Sequence, residues 1–146
     1  MGLDNGITLR VKGEINPDAE ILTIPGIEKA DLNDNTEQGF TYYEICYWRK
    51  CWNIRDILFA NCHDAEGKED CGEYSFTVDE LKEVRDSLYH TICKGPEAWN
   101  EENRSIWTFE EAMNFLPWDI VRISALIDYL QHDGAGRSEV FFYDSY

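Results

Sequence analysis

Apolar and polar positions alternate from Asn5 to Lys12, where Ile7, Leu9 and Val11 fall two apart, and that period predicts a short strand with one face in a core. Glu20 to Ile24 predicts a second strand. Pro25-Gly26 punctuates the chain as a turn, and the polar, aperiodic stretch Lys29 to Gly39 reads as a loop. From about Tyr43 to Asn61 the apolar residues form two overlapping helical stripes, Ile45-Trp48-Trp52-Phe59 and Tyr47-Cys51-Ile54-Leu58. Arg49, Asn53 and Asp56 occupy the remaining face, and a helix so widely apolar belongs near the centre of a fold. Where that helix begins stays open, because Phe40 to Tyr47 is rich in aromatics and fits a strand equally well.

Cys62 to Tyr74 reads as a charged, glycine-containing connection. Thr77 with Glu80 then supplies a capping box, and Leu81, Val84, Leu88 and Ile92 recur at helical spacing until Lys94-Gly95-Pro96 ends the run. A second box, Thr108 with Glu111, opens a short helix that Pro117 is expected to interrupt. A longer helix follows with Ile120, Ile123, Ile127 and Leu130 inward and Asp133-Gly134 as its stop. The β-rich tail Glu139 to Tyr143 is expected to pair with the N-terminal strand. These elements predict a single α+β domain over residues 1–146, with three to four helices packed on a small, mainly antiparallel sheet that includes the N- and C-terminal strands.

Composition supports a packed core: the 146 residues are 43% hydrophobic and 14% aromatic, far from the profile of a disordered chain. Charge narrows the partners. The 29 acidic against 13 basic residues leave a formal charge of −16, a surface that repels nucleic acid and anionic membranes and favours basic, neutral or small partners. No stretch reaches the roughly 18 apolar residues of a membrane span, and no export signal precedes the first strand, so the expected location is the cytoplasm. Met1-Gly2 lacks the Ser or Thr of an acylation signal at Gly6, and the sequon Asn103-Arg104-Ser105 reads as a surface loop.

The five cysteines, Cys46, Cys51, Cys62, Cys71 and Cys93, are an odd number, which argues against a disulfide framework and for unpaired, mostly buried thiols. Their spacing does not supply the close ligand pairs of a zinc site, so no metal is assigned. Asp31, Asn33 and Asn35 match the opening ligands of a calcium loop, but Thr36 stands where the turn glycine is needed and Tyr42 where the bidentate Glu is needed. Cys62 and His63 are sequence neighbours outside any nucleophile motif, and His90 and His132 cannot be placed beside a nucleophile by sequence. Gly134-Ala135-Gly136 lacks the setting of a phosphate fingerprint. The sequence therefore assigns no catalytic residue and no cofactor.

Two groups of residues remain. The segment containing Tyr47, Trp48, Arg49, Lys50, Asn53 and Arg55 concentrates positive charge and indole rings in an acidic chain, a combination that suits a small anion or nucleotide. The competing reading makes the tryptophans core and pairs the cations with nearby acids. Asp79, Glu83 and Asp86 recur at i, i+4 and i+7 on a predicted helix, about 5–6 Å between neighbours, near the spacing of phosphates along a nucleic-acid strand. The plainer account of that row is helix-dipole complementation and solubility.

In its motifs the chain resembles small proteins encoded by bacteriophages and prophages. The resemblance rests on Met1-Gly2-Leu3-Asp4, on Tyr47-Trp48-Arg49-Lys50 with Asn53 and Ile54, on Cys71 with Tyr74, and on the aromatic close Phe141 to Tyr146. It touches the opening residues and, discontinuously, Glu44 to Tyr146, leaving Gly13 to Phe40 unmatched. It implies a bacterial host cell during infection and supplies no catalytic residues.

The leading expectation is a protein that occupies a basic surface of a host protein, such as a nucleic-acid-binding defence factor, and inhibits or diverts it. Its surface would comprise Asp64, Glu66, Glu69, Asp70, Asp79, Glu83 and Asp86. The alternative is a small-anion or nucleotide site, sequestering or processing its ligand, on Tyr47, Trp48, Arg49, Lys50, Asn53 and Arg55. Neither reading calls for a metal, direct nucleic-acid contact or a membrane.

Overall fold

The computed structural model describes residues 3–30, 39–68, 71–101 and 105–145. Met1, Gly2 and Tyr146, the calcium-like positions Asp31, Asn33, Asn35 and Thr36, the acidic Glu69 and Asp70, and Asn103-Arg104 lie outside the described residues.

Among the described residues five strands form one antiparallel sheet in the order β2-β3-β1-β5-β4: β1 Asp4–Lys12, β2 Glu28–Lys29, β3 Phe40–Arg49, β4 Gly72–Phe76 and β5 Ser138–Ser145. The terminal strands are neighbours at its centre. Ile7 lies opposite Cys46 on one side and Phe142 on the other, and Leu9 lies between Tyr43 and Val140, so alternate residues of three strands converge on one face. The register slips between Ile7 and Thr8, where β3 holds an extra residue, and the bulge lets adjacent Ile45 and Cys46 both enter the core.

Helices α1 Trp52–Ala60, α2 Val78–Glu101 and α4 Leu116–Gln131 cover that face, with a single turn, α3 Phe109–Ala112, between the last two. Both capping boxes form: Glu80 N–H donates to Thr77 Oγ1 at 3.2 Å while Thr77 N–H donates to Glu80 Oε1 at 2.9 Å, and Thr108 and Glu111 repeat the exchange. Leu81, Val84 and Leu88 are buried on α2, as their spacing predicts. Gly95, at φ +81°, breaks the helical run where the Lys94-Gly95-Pro96 signal falls, a backbone angle that glycine adopts readily.

Several sequence expectations are corrected. Glu20 to Ile24 is a 3₁₀ turn over Glu20–Thr23 rather than a strand: Asn16 Oδ1 accepts the Asp18 N–H at 2.9 Å, and the chain curls immediately into Leu22 N–H to Ala19 O at 3.1 Å. The open choice at Phe40 to Tyr47 resolves as strand, and helix α1 begins only at Trp52. Lys50 makes the turn between them at φ +50°, with its N–H donating to Leu3 O at 2.6 Å. The connection read over Cys62 to Tyr74 contains a 3₁₀ turn, His63–Ala65, and runs into β4, whose Tyr74 and Phe76 alternate into the core. Pro117 does not interrupt a helix. It sits in the first turn of α4, where its missing N–H has no helical partner to lose.

Among the described residues no helix is long and apolar enough to cross a membrane. Cys46, Cys51 and Cys62 are buried thiols, and Cys71 and Cys93 are exposed.

Candidate functional site

Strand alternation decides the fate of the Trp/Arg/Lys segment. Tyr47 and Arg49 are exposed on the sheet face opposite the helices, whereas Trp48 between them turns into the core. The Trp48 indole N–H donates to Asp119 Oδ2 at 2.7 Å. Asp119 also faces Arg122 at 3.2 Å, and Arg122 Nε donates to Pro25 O at 2.7 Å. Burial pushes the Asp119 carboxyl up to about 7, against the opposing effects of Trp48 and Arg122. The buried Cys46 thiol beside it is raised well above its ordinary value, by burial first and by the Asp119 charge second.

Arg55, from the first turns of α1, goes to a second buried carboxylate. Its Nε donates to Asp144 Oδ1 at 2.9 Å and its second terminal nitrogen to Oδ2 at 3.0 Å, a bidentate pair. Asn5 Nδ2 adds a bond of 2.7 Å to Asp144 Oδ1, and the guanidinium lies over the rings of Phe59 and Trp52, 4.4 and 5.0 Å from their centroids. The structure thus divides the six residues. Tyr47 and Arg49 go to the outer sheet face, Trp48 and Arg55 to separate buried pairs, Lys50 to a turn, and Asn53 to the groove between α1 and α2.

Asp119, Asp144 and Asn5 escaped the sequence reading, although periodicity marks them. Asn5 is two residues before Ile7, Asp144 two after Phe142, and Asp119 four before Ile123, each a polar residue on an inward-facing register.

The acidic residues are arranged differently. Asp79, Glu83 and Asp86 are exposed along α2, with Asp86 3.3 Å from its neighbour Arg85. Asp64 is engaged: its Oδ2 accepts the Ser75 N–H at 2.9 Å, its Oδ1 lies 3.7 Å from Lys68, and the Ser75 bond leads in lowering its pKa. Glu66 is exposed. The two stretches meet because the His63 backbone N–H donates to Glu80 Oε2 at 2.6 Å and its Nδ1 lies 2.9 Å from Oε1. Burial raises the Glu80 carboxyl, but the N–H groups of Thr77 and His63 together with the His63 ring outweigh it and hold the group below its ordinary value. Glu80 therefore ties the turn that begins at His63 to the first turn of α2.

Among the described residues no three His, Cys, Asp or Glu side chains gather as a metal site. Fold and site together define an α+β protein with one helix-covered sheet face, a buried Arg55–Asp144 ion pair, a buried Asp119 carboxyl held by Trp48 and Arg122, and an acidic row exposed along α2. Comparison with known protein families, curated proteins and solved structures finds no match to the chain.

Proposed function

We propose that the protein is an acidic binding protein that presents α2 to a basic surface of a partner protein, in the phage-infected bacterial cell that the sequence motifs suggest. The observation that carries this reading is the exposed row Asp79, Glu83 and Asp86 on a well-capped helix, in a chain of net charge −16. A capped helix holds these carboxylates at fixed spacing, so they can meet the cations of a nucleic-acid-binding surface in the manner of backbone phosphates. Steering by the net charge favours fast, salt-sensitive association.

Asp64 is a poor residue with which to test this surface, because its carboxylate caps the β4 backbone and its loss would disturb the fold. The test therefore reverses Asp79, Glu83 and Asp86 to Lys together, and compares capture of host proteins from bacterial lysate by wild type and variant. The expected result is a basic host protein retained by the wild type, released by raised salt and absent from the variant. Retention unchanged by the reversal would sink the proposal.

A further inference from the structure

A groove with an apolar floor runs between the 3₁₀ turn Glu20–Thr23 and the last turns of α4. It consists of two cavities of about 290 and 340 Å³ that share Ala19, Tyr129 and Asp133 and so join into one cleft. Ile21, Ile24 and Ala125 line the first cavity and Ile15 the second. Tyr129, common to both, is 4% exposed; its hydroxyl lies 3.3 Å from Ser138 Oγ, and Gly134 passes so close to its ring that a side chain there would collide with it.

The walls of the cleft are acidic. Glu20, Asp128 and Asp133 line the first cavity, Asp18 and Asp133 the second, and all four are exposed. Among the described residues that line the cleft the only cation is Arg137, in the second cavity. Asp128 meets the His132 ring at 3.3 Å with both side chains largely in water, while Asp18, Glu20 and Asp133 have no ion pair among the described residues. These carboxylates are spread along the apolar floor instead of converging, and they form no metal site among the described residues. A divalent ion requires its oxygen ligands around one point. The charge complement of this cleft is a cation whose own charges are separated by an apolar chain.

We propose that the cleft binds a linear aliphatic polyamine. Its methylenes lie along Ile21, Ile24, Ala125 and Tyr129, which removes apolar surface from water. Its ammonium groups, which only donate, meet carboxylates, which only accept: Glu20 and Asp128 in the first cavity, Asp133 where the two cavities join. Both volumes stand at the lower end of the range for small-molecule sites, which suits a thin, unbranched chain. The cleft shares no residue with the acidic row on α2, and the two proposals stand or fall separately.

The test is a titration of the isotopically labelled full chain with spermidine and, at matched ionic strength, with magnesium chloride, followed by amide chemical shifts. Spermidine is expected to move the resonances of Ala19, Ala125 and Tyr129 and to bind at least about fivefold more tightly than magnesium, which carries charge but no apolar chain. Two variants separate the cleft from the general attraction of a polycation to a chain of net charge −16. Ala19→Leu alters no charge and fills the shared part of the cleft, and should weaken spermidine by about tenfold, its amide spectrum showing that the fold is kept. Asp128→Asn with Asp133→Asn should weaken it by about fivefold, whereas Asp79→Asn with Glu83→Gln, which removes the same charge from α2, should change it by less than about twofold. The proposal is overturned if spermidine leaves those resonances unmoved, if magnesium binds equally well, if a folded Ala19→Leu binds as the wild type does, or if the α2 pair weakens binding as much as the cleft pair.

Discussion

The carboxylates of this protein live in two settings that share a chemistry and little else. Asp119 and Asp144 are 2% exposed and each is enclosed by designated partners, whereas Asp79, Glu83 and Asp86 stand in water along one helix. Burial makes a charge dependent on its neighbours, since the loss of hydration has to be offset by hydrogen bonds and an opposite charge. Exposure makes it nearly independent of the fold. The first pair fixes where strands and helices meet, while the second group is available for recognition.

The largest expected effect is that of Arg55→Ala, which strands Asp144 without its bidentate partner. We expect a loss of about 3–5 kcal/mol in urea-induced unfolding. A loss near that of an ordinary surface substitution would show that the buried pair does not anchor β5 to α1.

The next largest effect concerns pH. Asp119 holds its proton up to about 7 in the native state, against an ordinary value of 3.8, so the native state binds more protons than the unfolded one between these limits. Its contribution to stability is full below pH 3.8, declines as pH rises toward 7 and is lost above it, at a slope of at most about 1.4 kcal/mol per pH unit. Asp119→Asn should remove this slope from the difference between the two unfolding curves, and Trp48 fluorescence should titrate near pH 7 in the wild type only. A parallel pair of curves would show that Asp119 ionises normally.

Thr77→Ala probes the junction between the two settings, because the capping box starts the acidic helix. Losing the side-chain acceptor for the Glu80 N–H should cost about 1 kcal/mol in thermal or chemical unfolding. Smallest of all, Asp79→Asn, Glu83→Gln and Asp86→Asn should each change stability by no more than about 0.5 kcal/mol. A larger loss from any one would mean that the helix surface, too, is committed to the fold.

Much of the architecture was legible in the chain. The alternation of Ile7, Leu9 and Val11, the β-rich tail, both capping boxes and the Gly95 break all carry local signals whose physics acts over a few residues, and each appears where its signal lies. The strand β4 escaped because it is short and stands among charges, and pairing with β5 holds it in place. Glu20–Thr23 escaped because Asn16 set the local backbone against extension. At the candidate sites, sequence proximity misled. Trp48 and Arg49 are neighbours on opposite faces of a sheet, and Arg55 seeks Asp144 across 89 positions of chain, a contact that periodicity cannot announce. The groove on α2 was equally hidden, since Asn53 reaches it from another helix.

The bond between Asp64 and Ser75 has a consequence for how the molecule behaves in a crowded solution. β4 closes one margin of the sheet, and paired on its inner side with β5 it would otherwise offer bare backbone to a passing strand. At Ser75 that margin is sealed from both directions: Asp64 takes the N–H, and the Cys62 thiol donates to the carbonyl at 3.1 Å. Two side chains from one tight turn thus act as a selvedge, finishing the fabric at Ser75, where another chain would otherwise be woven onto it.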